Sequence, residues 1–211
     1  ILGTTAMHAI RRAKIEYGDT VAVIGCGVLG YLVMQHAKNN GARRVVVLDI
    51  DDSRLEMAKK AGADVCINPG KVDSVAELRA NNNGILADVV IEASGFKGTE
   101  QQALDLVRER GRIVILGWHT ENVEFLFGDF YFKETELIAS QAIGPEAGLP
   151  YSYVRWTSDQ SIKWSVELIS CGKLTGKHFT PSVFSYKDIA KVYELIDKRD
   201  PSIGMQTILM W

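Results

Sequence analysis

Apolar residues along this chain follow two rhythms in turn. Short unbroken runs such as "TVAVIG" (Thr20–Gly25) suit strands buried on both faces. Longer stretches such as "VLGYLVMQHAKNNGA" space their apolar residues at helical intervals and stop at Asn40-Gly41. The alternation continues with strand "RRVVVLD" (Arg43–Asp49) and helix "DDSRLEMAKKAGA", for which Asp52 or Ser53 is the expected N-cap and Gly62 the stop. Next come a short strand "DVCIN" (Asp64–Asn68) and a helix "VDSVAELRANN" ending before Gly84. "ADVVIEAS" reads as strand, "GTEQQALDLVRER" as helix, "GRIVILG" as strand and "ELIASQAIG" (Glu136–Gly144) as a sixth strand. Parallel neighbours need a long crossover, which the intervening helices supply. The predicted class is α/β, a doubly wound parallel six-stranded sheet.

Two segments fall outside this rhythm. Residues 1–17, "ILGTTAMHAIRRAKIEYG" up to its last glycine, read as one amphipathic lead-in helix. After Gly144 the alternation breaks, and Gly144-Pro145, Gly148 and Pro150 mark a loop. A helix around Gln160–Cys171, an extended "KHFTPSVFS", a helix "YKDIAKVYELIDKR" and a last strand "GMQTILMW" follow. The expected organisation is a lead-in helix (1–17), the wound sheet (18–175) and a C-terminal segment (176–211). That segment has too little apolar surface for a core of its own and is expected to pack on something else.

The first strand runs into "GCGVLG", with Gly25, Gly27 and Gly30 in G-x-G-x-x-G spacing. Such spacing alone is as consistent with a turn as with a phosphate cradle. Here it follows a buried strand, opens a helix, and is answered by Asp49 at the end of the next strand, 19 residues after Gly30. Gly25 permits the tight turn, Gly27 lets a pyrophosphate reach the backbone, and Gly30 lets the helix lie close on the strand. The positive end of the helix starting near Val28 would hold the phosphates. The pattern is that of a Rossmann-type dinucleotide site. A carboxylate at Asp49 would accept the adenosine ribose hydroxyls and repel a 2′-phosphate, which favours NAD over NADP. Two points stay open: Asp49 could merely cap the following helix, and Arg54 nearby could serve a 2′-phosphate.

Composition narrows the partners. The 211 residues carry a net charge of −2, so nothing draws the chain to nucleic acid or an acidic membrane. No apolar run approaches the roughly 18 residues of a membrane span, and the opening residues do not read as a signal peptide. The three cysteines, Cys26, Cys66 and Cys171, form no C-x-x-C pair and read as small hydrophobes in a reducing, cytoplasmic setting. The chain begins at Ile1, as a piece of a longer protein would. His8, His36, His119 and His178 are scattered without ligand spacing. His8 could face a substrate cleft and His119 could approach a cofactor, while His36 reads as a surface or packing residue. The aromatic "FLFGDFYFKE" reads as core or subunit interface.

Over nearly its whole length the chain resembles the medium-chain dehydrogenase/reductase family, the zinc-type alcohol and polyol dehydrogenases. The resemblance rests on "LGTTAMHAI", on "GDTVAVIGCGVLGYLVMQHAKNNGARRVVVLDIDDSRLEMAKKAGAD" and on "WSVELISCGKLTGKHFTPSVFSYKDIAKVYELIDKR". It implies that 18–175 binds NAD and that 1–17 and 176–211 connect to or belong to a catalytic domain. It implies that Gly25, Gly27, Val28, Leu29 and Gly30 hold the pyrophosphate, and that Asp49, Ile50 and Arg54 meet the adenosine end. Ala93, Ser94 and Gly95, with Leu116, Gly117 and Trp118, would line the nicotinamide crevice; Ser140 and Gln141 would lie near the carboxamide, and Thr5 near the nicotinamide ring.

The implied activity is hydride transfer between an alcohol or polyol and NAD, with a homodimer as one possible assembly. The family's first zinc ligands lie in a preceding domain, and a further ligand position is held here by Ile1, which binds no metal. Zinc is therefore a possibility for the intact parent only, no catalytic residue is assigned, and this chain alone is expected to be inactive. The alternatives are a non-catalytic NAD-binding module or fragment, and a zinc-free quinone- or enoyl-type reductase. The last would usually take NADPH and lack the acid at Asp49.

Overall fold

Strands with every residue apolar need cover on both faces, and the central strands here have it. β1 (Thr20–Ile24) is buried at all its positions, and β2 (Arg44–Leu48) and β4 (Ala87–Glu92) nearly so. With β3 (Val65–Ile67), β5 (Val107–Ile115) and β6 (Glu136–Ala139) they form one parallel sheet ordered β3-β2-β1-β4-β5-β6. Val21 of β1 pairs with Val45 on one side and Val89 on the other. This computed structural model describes residues 1–211 except 143, 145–149, 151–154, 180, 199 and 201. Pro145 and Gly148 of the expected loop lie outside the described residues.

Helices cross between the strands: α2 (Val28–Asn39), α3 (Asp52–Lys60), α4 (Ser74–Asn81) and α5 (Thr99–Leu106). From β1 the chain winds outward through β2 to β3, then returns through α4 to β4 on the other side of β1. That reversal leaves a crevice beyond the carboxyl ends of β1 and β4, the place where ligands bind in open α/β sheets. Ala22, Val46, Val90, Leu104 and Ile113 belong to the core on one face of the sheet. Before the sheet, α1 (Leu2–Ala13) packs against α2, where the buried His36 meets the Gly3 carbonyl at 3.1 Å. A carbonyl only accepts, so His36 Nε2 carries the hydrogen. Burial pushes the His36 pKa down to about 4, against a smaller upward pull from that hydrogen bond.

Several boundaries differ from the pattern reading, each for a local reason. The lead-in helix stops at Ala13, where Lys14 turns left-handed with φ 49°. The cap of α3 is Asp51, whose side chain accepts from the Ser53 amide at 2.8 Å, rather than Asp52 or Ser53. α5 ends at Leu106, and the next residues, expected as helix, join β5 instead. Val107 pairs there with Ala87, and the register then shifts so that Val89 faces Arg112. The sixth strand is shorter than expected and ends at Ala139. In the aromatic stretch a short helix, α6 (Phe127–Phe132), packs Phe125 and Phe130 edge to face at 5.9 Å while Phe127, Tyr131 and Phe132 stay exposed. α7 (Ser158–Ser170) opens with a capping box of Thr157 and Gln160 and packs against α1.

The chain divides into two units, Ile1–Thr175 and Gly176–Trp211. In the second, β7 (Ser182–Ser185) and β8 (Thr207–Met210) pair in parallel, joined by a turn at Tyr186–Asp188 and α8 (Ile189–Asp197). Tyr186 and Trp211 stack at 4.7 Å. Among the described residues no helix is long and apolar enough to cross a membrane.

Candidate functional site

The glycine turn lies at the crevice. Gly25 adopts φ +88°, open to glycine but strained for other residues, and a Cβ there would sit 2.8 Å from the Ser94 Cβ. The turn after β1 and the turn after β4 are thus in contact. A Cβ on Gly30 would strike the Gly25 carbonyl oxygen, so this glycine lets α2 start directly on the turn. Gly27 differs from both. It is the N-cap of α2, no side chain caps the helix, and nothing lies within 4 Å of where its Cβ would be. The first-turn amides of Val28, Leu29 and Gly30 have no acceptor within the helix. An uncapped, positively polarised helix end facing open space suits a pyrophosphate, and a Cβ on Gly27 would fill that space.

Asp49, just beyond β2, is turned into this turn. Its Oδ2 accepts from the Cys26 amide at 2.7 Å and its Oδ1 from the Asp51 amide at 2.9 Å. It therefore does not cap α3, a role taken by Asp51. Its side chain is 5% exposed, whereas Ile50 beside it is 79% exposed. Arg54 reaches Asp49 at 3.7 Å and Asp51 at 3.6 Å, so its guanidinium stands between two carboxylates. The Asp51 carboxyl is held below its ordinary range by its hydrogen bonds from Ser53. Burial, and then the Asp49 charge, push the Cys26 thiol up to about 12, which leaves it an unreactive packing group.

Across the switch point, Ala93 continues β4 by donating its amide to Ile24, while the Leu116 and Gly117 amides both donate to the Glu92 carbonyl, at 2.8 and 2.9 Å. Ser94 and Gly95 form the turn after β4. A Cβ on Gly95, at φ +70°, would lie 2.8 Å from the Trp118 carbonyl oxygen, and one on Gly117 would strike the Gly95 nitrogen. Trp118 is 86% exposed. After β6, the Ser140 amide donates to Ile115 and its Oγ is buried; among the described residues it has no hydrogen-bond partner. Gln141 is exposed. Thr5 is buried on α1, its hydroxyl 3.5 Å from the Ile1 carbonyl.

The histidines separate. His8 is half-buried against Gly144, where burial and then Arg12 and Arg11 hold its pKa below the ordinary value. His36 lies between α1 and α2, away from the crevice, and His178 lies in the second unit. His119 stands between two buried carboxylates that motif reading passed over. Its Nε2 is 2.9 Å from Glu92 Oε2 and its Nδ1 is 2.7 Å from Glu100 Oε1. Glu92 closes the apolar run "VVIE", and an acid ending a buried strand is the signal that could have found it. Behind this group is a cavity of about 240 Å³ lined by Leu104, Ile113, Ile115 and Phe130, with Glu100 and His119 at its polar side. Among the described residues no group of three or more His, Cys, Asp or Glu could hold a metal ion. The residues present therefore do not fit a zinc site, and no step is assigned to one.

Comparison with known proteins bears on the family and the fold. The zinc-binding dehydrogenase family matches residues 28–152. Erythritol/L-threitol dehydrogenase of Mycolicibacterium smegmatis is 38% identical over 112 residues, 53% of this chain and 31% of that protein. A solved alcohol dehydrogenase from Escherichia coli CFT073, complexed with NADH, superposes with a TM-score of 0.79 at 23% identity, covering 100% of this chain and 57% of that one. A zinc-binding dehydrogenase from Sinorhizobium meliloti 1021, bound to NADP, gives a TM-score of 0.74 at 25% identity over 90% of this chain and 53% of the other. The chain spans about half the length of the curated relatives that it matches along most of its own residues. It belongs to the zinc-binding dehydrogenase family.

Proposed function

We propose that this chain is the NAD-holding part of an oxidoreductase that moves a hydride between an alcohol or polyol and the cofactor. The observation that carries the reading is the uncapped N-terminus of α2 at Gly27, open to solvent, with Asp49 at the end of the neighbouring strand. The Val28, Leu29 and Gly30 amides would bind the pyrophosphate, with Gly25 and Gly27 keeping its approach clear. Asp49 has acceptor capacity left on both oxygens for the adenosine ribose hydroxyls, and Ile50 would cover the adenine edge. Arg54, already between two carboxylates, is poorly placed to serve a 2′-phosphate, which supports NAD over NADP.

At the other end, Ala93, Ser94, Gly95, Leu116, Gly117 and Trp118 would wall the nicotinamide. Ser140, with its unpartnered buried hydroxyl, and Gln141 would meet the carboxamide, and Thr5 would border the ring. NAD, when bound, supplies the ring carbon that takes the hydride; these residues would fix the ring against the carbinol carbon and keep water from it. The substrate reading rests on the polyol named for the relative from Mycolicibacterium smegmatis. Residues 1–17 and 176–211 we read as the connections to the catalytic part of the enzyme.

Titration with NADH and with NADPH, following nicotinamide fluorescence, tests the cofactor assignment. NADH is expected to bind at least about tenfold more tightly, a difference of about 1.4 kcal/mol. Tighter binding of NADPH would overturn the role given to Asp49.

A further inference from the structure

Glu92 is fully buried at the end of β4, in a fold that leaves charged groups inside only when they are partnered. Its partners are on the two turns that border the crevice and at the first residue of α5. Oε1 accepts from the Ser94 amide at 2.7 Å, the Ser94 hydroxyl at 2.5 Å, the Gly95 amide at 3.0 Å and the Thr99 hydroxyl at 3.1 Å. Oε2 takes the His119 ring from the turn after β5. The opposite ring nitrogen lies 2.7 Å from Glu100 Oε1, a close contact without hydrogen-bond alignment, and Glu100 Oε2 accepts the Gly98 amide at 2.8 Å and thereby holds the start of α5. His119 lies within 3 Å of both carboxylates, and its side chain is 11% exposed.

The two turns also abut directly. A Cβ on Gly117 would strike Gly95 and the Glu92 carboxylate, so no side chain separates the walls, and close backbone contact together with their polar ties sets the spacing. We infer that His119 is a positioning residue: bridging Glu92 and Glu100, it fixes the Gly117–Trp118 turn against the Ser94–Gly95 turn and so sets the width of the nicotinamide subsite. The inference rests on the dinucleotide reading above. It assigns His119 no contact with the reacting atoms; the ring acts through the two turns.

The role predicts that losing the bridge harms the nicotinamide half of the ligand and spares the rest, because Gly27 and Asp49 lie on the other side of the switch point. The test compares NADH with ADP-ribose, which lacks the nicotinamide, binding to the wild-type chain and to His119→Ala. The alanine variant should lose about tenfold or more in NADH affinity while ADP-ribose changes by less than about twofold. His119→Asn, too short to reach both carboxylates, should show the same split if the alanine variant does not fold.

Parallel losses for NADH and ADP-ribose, or unchanged NADH binding in the histidine variants, would overturn the positioning role and leave the cofactor assignment standing. Failure of the wild-type chain to bind either ligand would overturn both.

Discussion

Asp49 and Glu92 occupy equivalent places on opposite sides of the switch point. Each is an acid at or just past the end of a buried strand, and each accepts backbone amides from a neighbouring turn. They differ in what is left over. Asp49 holds two amides and a loosely placed arginine, and its surroundings, Ile50 and Arg54, open to solvent. Glu92 holds two amides, two hydroxyls and an imidazole, and no part of it is exposed. A buried carboxylate with every partner inside the protein fixes backbone; one with free lone pairs at an opening can also meet a ligand. The same chemistry thus serves as a fastening on one side of the crevice and as a fastening with a vacant face on the other.

Removing the two acids separates these roles, and Glu92 should give the larger effect. Glu92→Ala takes the acceptor from the Ser94 and Gly95 amides, the Ser94 hydroxyl and the His119 ring, while the Thr99 hydroxyl keeps the Phe96 carbonyl, and should cost on the order of 3 kcal/mol in urea unfolding. Glu92→Gln, which keeps one acceptor, should cost clearly less. A loss under about 1 kcal/mol for the alanine variant would mean that water or relaxation replaces the network and that the comparison fails.

Asp49→Ala strands only two amides, that of buried Cys26 and that of exposed Asp51, and about 2 kcal/mol is expected. Unlike Glu92→Gln, it should also narrow the preference for NADH over NADPH, by about tenfold, since a single charge no longer opposes the 2′-phosphate.

The difference between the two acids also marks what the sequence made legible. Asp49 could be found because its meaning is carried by distance along the chain: a strand, three glycines, a helix and an acid one strand later. The six strands and their crossovers were legible for the same reason, since hydrophobic periodicity is local. Glu92 ends β4, Glu100 lies in the first turn of α5 and His119 follows β5, and no motif says that the three side chains converge. The boundaries that moved did so through tertiary pairing. "LVRER" has a fair helical pattern, yet Val107 is taken by Ala87 on β4 and Arg108 by Asp88 at 2.6 Å, so the helix yields four residues to the sheet. In the second unit Val192 is buried while Val183, Tyr193, Ile196 and Trp211 stay exposed, so a helical or strand rhythm there gave the element without saying what covers it.

A buried histidine extends the comparison to pH. His36 meets a neutral carbonyl, so no carboxylate offsets the effect of its burial. Its folded-state pKa of about 4 lies below the ordinary histidine value of 6.5, so the unfolded chain binds the proton more readily. Stability from this residue is therefore complete above pH 6.5 and declines as pH falls toward 4, where the loss levels off. His8, also shifted downward, acts in the same direction. Between pH 7 and pH 5 His36 should account for about 2 kcal/mol of lost stability. Unfolding of wild type and His36→Gln at both values measures it: the variant keeps a donor for the Gly3 carbonyl but has nothing to titrate, and its drop should be smaller by that amount. Equal drops would mean that His36 is charged in the folded protein.

The smallest expected effect sits at the open face of Asp49. Arg54 is 41% exposed and its two carboxylate contacts are at 3.7 and 3.6 Å, beyond good hydrogen-bond length. Such a pair contributes little in water, and Arg54→Ala should change stability by no more than about 0.5 kcal/mol. Its effect on cofactor choice is the sharper reading. If the guanidinium were available to a 2′-phosphate, losing it would weaken NADPH binding by about tenfold or more. Held between Asp49 and Asp51, it has its charge already matched, and NADPH affinity should move by less than about threefold. A tenfold loss confined to NADPH would place Arg54, and not Asp49, in control of the 2′ position, and the vacant face of Asp49 would then have to be assigned to something other than the ribose.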